Sequence, residues 1–437
     1  MGLQGSEGLS ESRRGPAWAG RPIFARGRTY LVAVAFLAAA VSLAAPAAAE
    51  TTPFATARPS APPLPTRLAR ALAVPHVNHA RSGAVALDLE SRTVVFSRHP
   101  RLSLAPASTE KLTLTYALLV RLGPTHRIRT TVLTSAGVEG ATLVGNLVLH
   151  GEGDPTLSTA GLRRLAAQVR ASGIERVVGS VVGDESFFDA RRTAPGWKPW
   201  YYIRESPPLS ALTVDRARFR GSTSHAPALA AAAAFKEALR AAGVAVTGRA
   251  VAGRADADAV ELAALASPPL VRILRTVNQE SDNFTAEILL KHLGAAVSGR
   301  GTTPAGAAVV RRALSDAGVP LAGVRIVDGS GLSLLDRLTA DSLVTLLAAV
   351  WDDPLLRGSF VQSLAVSGRS GTLRRRLRER PAVGRVFAKT GTTAISSALS
   401  GYVADRFAFA VLQNGPPLSS WWSRRAQDRF VTVLAGQ

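Results

Sequence analysis

The chain has 437 residues, of which 47% are hydrophobic and 19% are charged. This composition is typical of a folded protein of two or three domains and excludes a chain that is disordered throughout. Lysine and arginine number 52 against 31 aspartates and glutamates, so the formal net charge is +21 and the surface favours anionic partners.

The composition also limits the chemistry. There is no cysteine, which excludes a disulfide scaffold, a thiol nucleophile and a cysteine-ligated metal site. The seven histidines are scattered without the spacing of a metal-binding motif. Only five of the 52 basic residues are lysines. Arginine supplies almost all the positive charge and cannot act as a base, so each lysine is of interest.

The N-terminal region has the pattern of a targeting segment. Five arginines within residues 1–29 precede an apolar run from Tyr30 to Leu43, and Ala47-Ala48-Ala49 follows. This order predicts a secretory signal peptide over residues 1–49, whose removal leaves 47 basic and 29 acidic residues. An uncleaved membrane anchor is the alternative, since residues 30–49 are just long enough to span a bilayer. Residues 50–65 are rich in proline, threonine and alanine, which predicts a flexible leader.

Periodic apolar patterns predict the elements of the next part of the chain. Residues Ala84–Leu89 and Thr93–Phe96 are predicted to form a hairpin, and a helix is predicted from Ser108 to about Leu122. Between residues 126 and 267 strand patterns dominate, and we expect an inserted β-rich region of two small domains. The elements predicted there are strands at Thr131–Leu133, Leu143–Leu149 and Val177–Val182 and an alanine-rich helix at Ala228–Ala242.

Helical patterns return after residue 268. The predicted elements are helices at Ile273–His292 and Leu338–Val350, strands at Ser397–Val403 and Phe407–Leu412, and a C-terminal helix around Trp421–Leu434. We therefore expect residues 66–125 and 268–437 to form one α/β (α+β) domain. In this domain an antiparallel sheet is flanked by helices, and the middle of the chain is inserted into it.

The first candidate motif is Ser108-Thr109-Glu110-Lys111. Residues three apart at the start of a helix share a face, so the Lys111 amine can reach the Ser108 hydroxyl. A serine becomes a nucleophile when a neighbouring base takes its proton, and a helix N-terminus favours the negative charge that develops. The alternative interpretation is a serine that caps the helix and a lysine in solvent.

The second candidate motif is Ser281-Asp282-Asn283. At a helix end or a tight turn, Ser281 and Asn283 can project to the same side. The serine hydroxyl can then relay a proton, and the asparagine amide can bind a peptide group. Helix capping is the alternative interpretation of such a triplet.

The third candidate motif is Lys389-Thr390-Gly391-Thr392, just before the predicted strand pair. A glycine in an edge strand lets a substrate backbone approach closely. The Lys389 cation can bind a carboxylate, and the threonine hydroxyls can hydrogen-bond it. The alternative is a β-turn with a surface lysine.

The order S-x-x-K, S-D-N and K-T-G is typical of penicillin-binding proteins and class A β-lactamases. Over residues 65–435 the sequence resembles the D-alanyl-D-alanine carboxypeptidase/endopeptidase family, the class C low-molecular-mass penicillin-binding proteins. Lys111 and Ser281 are 170 residues apart, and in that family inserted domains occupy this interval. The stretch Asp328–Ser333 is also similar, but Ser330 within it is not predicted to be the nucleophile. The resemblance implies a serine β-lactamase/DD-peptidase-like transpeptidase fold.

The resemblance also implies a mechanism. Ser108 would attack the carbonyl between two terminal D-Ala residues of a peptidoglycan stem peptide, and Lys111 would take its proton. Ser281 would pass a proton to the leaving amine, and water would resolve the acyl-enzyme. The residues expected to bind substrate are Asn283 for the amide, Lys389, Thr390, Gly391 and Thr392 at the terminal carboxylate, and the backbone N–H groups of Ser108 and Thr392 as the oxyanion hole.

The same resemblance implies β-lactam antibiotics as covalent inhibitors and neither a metal nor an organic cofactor. Export and positive charge favour contact with an anionic wall polymer or the membrane surface rather than nucleic acid. Two rival hypotheses are a β-lactamase and a non-catalytic peptidoglycan-binding protein. The long interval before Ser281 disfavours the first, and the intact motifs disfavour the second.

Overall fold

The computed structural model describes residues 62–437. The predicted signal peptide, residues 1–49, and the predicted leader as far as residue 61 lie outside the described residues. Within residues 62–437, every helix is too short or too polar to cross a membrane.

Ten helices are present in the described part of the chain: α1 (Leu64–Leu72), α2 (Lys111–Leu122), α3 (Thr159–Ala171), α4 (Pro227–Ala241), α5 (Leu270–Gln279), α6 (Asn283–Ser298), α7 (Thr303–Asp316), α8 (Ala340–Asp352), α9 (Pro354–Ser363) and α10 (Ser420–Ala435).

The strands of the same part are β1 (Ser82–Asp88), β2 (Val94–Arg98), β3 (Arg129–Thr134), β4 (Gly137–Glu139), β5 (Thr142–Val144), β6 (Leu147–Gly151), β7 (Arg176–Val178), β8 (Val181–Asp184), β9 (Arg218–Phe219), β10 (Ser222–Thr223), β11 (Ala245–Val246), β12 (Ala250–Gly253), β13 (Val260–Ala266), β14 (Ala365–Val366), β15 (Val386–Thr392), β16 (Ser396–Val403) and β17 (Phe407–Asn414).

The main sheet joins the two ends of the described chain. Its order is β14-β15-β16-β17-β1-β2, and every neighbouring pair is antiparallel. Strands β16 and β17 are buried along their whole length, because helices cover both faces of the sheet. The predicted fold class, an antiparallel sheet flanked by helices, is confirmed.

The two faces of the main sheet have separate apolar cores. On one face α1 and α10 pack against the strands through Leu68, Phe430 and Phe409. On the other face α2 and α5–α9 form the larger core, which includes Leu118, Leu289 and Leu347. Helices therefore fix both sides of the sheet, and side chains on α2 and α6 can meet the end of β15.

Residues 126–267 form three further sheets, with the strand orders β12-β8-β6-β3-β13, β11-β7-β5-β4 and β10-β9. Helices α3 and α4 pack against these strands through Leu165 and Phe235, in a core separate from those of the main sheet. Several pairs are parallel, for example β6 with β8 and β5 with β7. Helix α3 is not among the elements predicted for this part of the chain, so residues 126–267 are more helical than the sequence pattern predicts.

Two predicted strands are each divided in the structure. The predicted strand Leu143–Leu149 consists of β5 and β6, and Val177–Val182 consists of β7 and β8. The breaks fall at Gly145 and Gly179, where a Cβ built on Gly179 would lie 2.1 Å from the carbonyl oxygen of Gly145. This close approach requires glycine, and it lets the chain pass from one sheet to the other.

The single predicted helix Ile273–His292 is wrong. The chain forms α5 and α6 instead, with a break in which Ser281 has a φ of 60°. The Asp282 carboxylate accepts a hydrogen bond of 2.7 Å from the N–H of Thr285 and so caps α6. A left-handed residue followed by an N-cap ends one helix and begins the next. Ser281 consequently lies on a turn rather than on a helix face.

A histidine pair connects α6 to the start of the inserted region. The Nε2 atoms of His126 and His292 are 2.9 Å apart, and His292 Nδ1 donates to the carbonyl of Glu152 at 2.8 Å. Burial lowers the pKa of His292 to about 4 and also lowers the pKa of His126. Both rings are therefore neutral at pH 7, which allows one ring to donate to the other.

The pair predicts a loss of stability in acid. Between pH 6.5 and 4 the unfolded chain binds protons that the folded His292 does not, so the free energy of unfolding falls as the pH falls. In His292→Gln this fall should be smaller by about 2–3 kcal/mol between pH 7 and pH 4, as denaturant unfolding would measure. Replacing the exposed His225 with glutamine is the control. An equal fall in parent and His292→Gln would contradict the assignment.

Candidate active site

Ser108 and Lys111 lie together at the start of α2. A single 3₁₀ turn, Ala107–Glu110, leads into the helix, whose first residue is Lys111. The Lys111 Nζ atom is 3.1 Å from Ser108 Oγ. The lysine side chain is fully buried, whereas a solvent-facing lysine was the alternative for this motif. The amine is therefore held beside the hydroxyl in a low-dielectric environment.

The Lys111 amine has two further acceptors. Its Nζ donates to Asn283 Oδ1 at 2.9 Å and to the Ser330 carbonyl at 2.6 Å. Burial lowers the pKa of Lys111 to about 8, while the charges of Asp328 and Glu287 act in the opposite direction. At this pKa roughly a tenth of the amine is neutral at pH 7, and the neutral fraction grows as the pH rises.

Ser281 and Lys389 form a second serine–lysine pair. Lys389 Nζ donates to Ser281 Oγ at 2.8 Å and to the carbonyl of Thr390 at 2.8 Å. Lys389 is fully buried. Burial holds the pKa of Lys389 well below its usual range, and the charge of Lys111 lowers this pKa further. The two lysines thus disfavour each other's positive charge across one site.

Strand β15 presents the third motif at the edge of the main sheet. The short strand β14 pairs only with Phe387 and Ala388, so among the described strands none covers Lys389–Thr392 on that side. A Cβ on Gly391 would lie 2.9 Å from the carbonyl oxygen of Pro106 and 3.1 Å from the Ser108 nitrogen. Gly391 therefore lets the strand lie directly against the Ser108 turn.

Residues 197–205, between β8 and β9, contribute one wall of the site. Asn283 Nδ2 donates to the Glu205 carbonyl at 3.2 Å, and Trp197 Nε1 donates to Asp328 Oδ2 at 2.8 Å. The sequence shows that residues 197–202 are rich in aromatic side chains, but it does not show the contact of Trp197 with Asp328. Residues 197–205 thereby connect the region between residues 126 and 267 to the second motif.

A cluster of buried carboxyl groups lies behind Lys111, and sequence analysis missed it. Its members are Glu110, Glu287, Asp328 and Asp336, all fully buried. Burial raises the pKa values of Glu110 and Glu287 to about 8 each and raises the pKa of Asp336 well above its usual range. The available signal was the stretch Asp328–Ser333, noted only for its similarity to the family.

The cluster shapes the backbone that holds Lys111. Glu287 Oε1 accepts from the N–H groups of Gly329 and Ser330, at 3.0 and 2.8 Å. Asp328 Oδ1 accepts from the N–H groups of Ser330 and Gly331, at 3.1 and 2.7 Å. These bonds fix the Ser330 peptide, whose carbonyl accepts from Lys111. Ser330 takes part through its backbone carbonyl and not as a nucleophile.

The structure therefore places five predicted side chains in two hydrogen-bonded groups, Ser108–Lys111–Asn283 and Ser281–Lys389. Thr390 also lies at this edge, where its hydroxyl is 2.8 Å from the Thr372 hydroxyl. Thr392 is exposed at the end of β15. A buried amine beside a serine hydroxyl, together with an open strand edge, is typical of a serine acyl-transfer enzyme.

Comparison with known proteins identifies the family. The family model of the D-Ala-D-Ala carboxypeptidase 3 (S13) family matches residues 64–226 and 220–437. The chain is 32% identical to a D-alanyl-D-alanine carboxypeptidase of Actinomadura over 78% of this chain and 79% of the relative. It is 34% identical to a carboxypeptidase of Mycobacterium tuberculosis over 76% of this chain and 75% of the relative. The chain belongs to the S13 family and is a serine-type peptidase.

Solved structures agree with this fold. The crystal structure of penicillin-binding protein 4 of Haemophilus influenzae matches 85% of this chain and 98% of its own length, with a TM-score of 0.74 and 21% identity. The likeness confirms the expected penicillin-binding fold. With the family membership, it favours a D-Ala-D-Ala peptidase over the β-lactamase and the non-catalytic binding protein considered above.

The contact of Gly391 with the Ser108 turn gives a mutational prediction. In Gly391→Ala the added methyl group displaces the turn, and labelling by a fluorescent penicillin should slow roughly tenfold or more, since small displacements of reacting groups are costly. Gly358→Ala in α9 is the matched control, because a Cβ there meets nothing within 4 Å. Equal labelling rates for the two variants would show that Gly391 does not position Ser108.

Proposed function

We propose that Ser108 is the acylated nucleophile of this D-Ala-D-Ala peptidase and that Lys111 is its general base. The observation that carries the proposal is the 3.1 Å approach of the buried Lys111 amine to Ser108 Oγ. A charged amine has three N–H donors, and its three acceptors here are Ser108, Asn283 and Ser330. A neutral amine that keeps the two carbonyl acceptors directs its lone pair at Ser108.

Acylation then proceeds as follows. The Ser108 oxygen forms a bond to the carbonyl carbon between the two terminal D-Ala residues, and its proton passes to Lys111. The backbone N–H groups of Ser108 and Thr392 stabilise the oxyanion. The carbon–nitrogen bond breaks as the leaving amine takes a proton through Ser281, and water later cleaves the ester. The approach of Gly391, the residue before Thr392, to the Ser108 backbone nitrogen supports this oxyanion hole.

Lys389, Thr390 and Thr392 bind the terminal carboxylate in this proposal. Burial disfavours the Lys389 cation, and an incoming carboxylate restores it by supplying the opposite charge. Asn283 is held between Lys111 and the Glu205 carbonyl, which orients its amide towards the substrate. The open edge beside Lys389–Thr392 gives Gly391 a second role, because an extended peptide can align along it.

We further propose the organisation of the whole chain. Residues 66–125 and 268–437 form the peptidase domain, and residues 126–267 form an inserted region of two small domains, one for each of its two larger sheets. The signal peptide predicted at residues 1–49 exports the protein, so that it works outside the cytoplasm on peptidoglycan. The basic charge brings it to anionic wall polymer or to the membrane surface.

The base assignment predicts the behaviour of two variants. Ser108→Ala should lose the covalent band with fluorescent penicillin, and Lys111→Arg should acylate slower by a factor of roughly 100 or more. In the parent the acylation rate should rise with pH through about 8, because the neutral form of Lys111 is the active one. Parent-like acylation by Lys111→Arg would show that another group is the base. Circular dichroism checks that both variants are folded.

The carboxylate assignment is tested with paired substrates. Lys389→Met should lower kcat/KM by roughly tenfold or more on a peptide that ends in D-Ala-D-Ala, and by less on the same peptide with an amidated terminus. Lys389→Arg keeps a cation and should lose less than Lys389→Met. Equal losses on both substrates would remove Lys389 from carboxylate binding.

A further inference from the structure

A basic groove lies between α1 and α10, on the face of the main sheet opposite the larger core. Its volume is about 1140 Å³. We call it the arginine groove, after the seven arginines that line it: Arg67 and Arg70 on α1, Arg375 and Arg376 before β15, and Arg424, Arg425 and Arg429 on α10.

The charge of the arginine groove is almost uncompensated. Its one acidic lining residue, Asp428, is paired with Arg376 at 2.7 Å. Within residues 62–437 the other six arginines have no carboxylate within 4.0 Å. Arg67 donates instead to the neutral Gln437 side chain at 3.4 Å. Six like charges repel one another, so structural ion pairing does not explain them, and an anion in the groove would relieve the repulsion.

The arginines lie in lines rather than around a point. Arg67 and Arg70 are three residues apart on α1, so they share a helix face. On α10 the groove-lining positions run from Ser420 to Val433, about 20 Å of helix. Since α1 and α10 pack against each other through one core, the two rows of charge line one channel. Such a channel fits several successive anionic groups better than one isolated anion.

An aromatic side chain lies among these charges. Trp421 is 60% exposed, and the Arg425 guanidinium lies 5.3 Å from the centre of its ring. Guanidinium groups bind phosphate through two parallel hydrogen bonds, and an exposed indole offers a flat apolar face for a ring or a carbon backbone. A linear ligand with alternating phosphate and organic units matches both features.

We propose that the arginine groove binds a linear phosphodiester polymer of the cell envelope. A polymer strand can enter a concave groove and meet arginines on both walls. A membrane surface is flat, and it would meet only the rim. The shape of the groove together with its charge therefore favours a polymer over a membrane surface as the ligand.

The arginine groove begins close to the Lys389–Thr392 edge of β15, but none of the residues of that edge line the groove. Thr372 bonds to Thr390 of the third motif at 2.8 Å, and Arg375 follows only three residues later. The seven arginines are absent from the contacts of Ser108, Lys111 and Lys389. A bound polymer would hold the enzyme in the wall with its active site free. The proposal is thus independent of the catalytic assignment.

The test compares two triple variants of the full chain. Arg424→Gln/Arg425→Gln/Arg429→Gln removes three charges from the groove. Arg164→Gln/Arg240→Gln/Arg254→Gln removes three exposed charges elsewhere. The probes are a synthetic poly(glycerol phosphate), in solution, and vesicles of phosphatidylglycerol. The rate of labelling by fluorescent penicillin shows whether each variant keeps a folded active site.

We expect the groove variant to bind poly(glycerol phosphate) at least tenfold more weakly than the parent, with a salt dependence that is shallower by about two to three ionic contacts. The control variant should change by less than threefold, and all three proteins should be labelled at the same rate. Equal weakening in both variants would overturn the proposal, because binding would then follow net charge alone. Failure of the parent to bind the polymer, or binding to vesicles only, would overturn it as well.

Discussion

The site depends on the position of one amine. Lys111 Nζ lies within hydrogen-bond distance of Ser108 Oγ, Asn283 Oδ1 and the Ser330 carbonyl, which come from three separate parts of the chain. The helix that carries Lys111 also carries Ser108 in its preceding turn, so their separation is local. The other two contacts depend on the packing of α2 against α6 and on the Asp328–Ser333 segment. Tertiary structure therefore sets the geometry of this amine.

A buried amine of this kind must be balanced by its surroundings. Desolvation alone would favour a neutral Lys111, and the carboxyl groups behind it act against that tendency. The same burial raises the pKa values of Glu110 and Glu287 to about 8. Burial thus favours the neutral form of the lysine and of these two carboxyl groups alike.

Much of the site could be predicted because its reactive residues lie in short sequence motifs. The spacing of Ser108 and Lys111 needs only one helical turn, and the strands around residues 397–412 alternate clearly enough to be found. The main errors of prediction arise where contacts between residues far apart in the sequence determine the local structure. Ser281 interrupts an apolar pattern that looks continuous, because its backbone is left-handed and Asp282 caps the next helix.

The buried acids show a second limit of sequence reasoning. Glu287 on α6 has the appearance of an ordinary polar helix residue, and only the packing of the Gly329-Ser330 backbone against it reveals its role. Trp197 is separated by 131 residues from Asp328, to which it donates. Burial of a charged residue follows from the whole fold, so no local pattern records it.

The pairing of β1 with β17 constrains how the protein can fold. Ser82 lies opposite Gln413, and Asp88 lies opposite Phe407, so the centre of the main sheet joins strands from the two ends of the described chain. The hairpin of β1 and β2 can complete this sheet only by pairing with β17. Contacts between such distant segments close slowly. The region between residues 126 and 267 has its own core and can fold during this delay. The active site therefore forms only when the segments on both sides of residues 126–267 have come together, because Gly391 lies against the Ser108 turn.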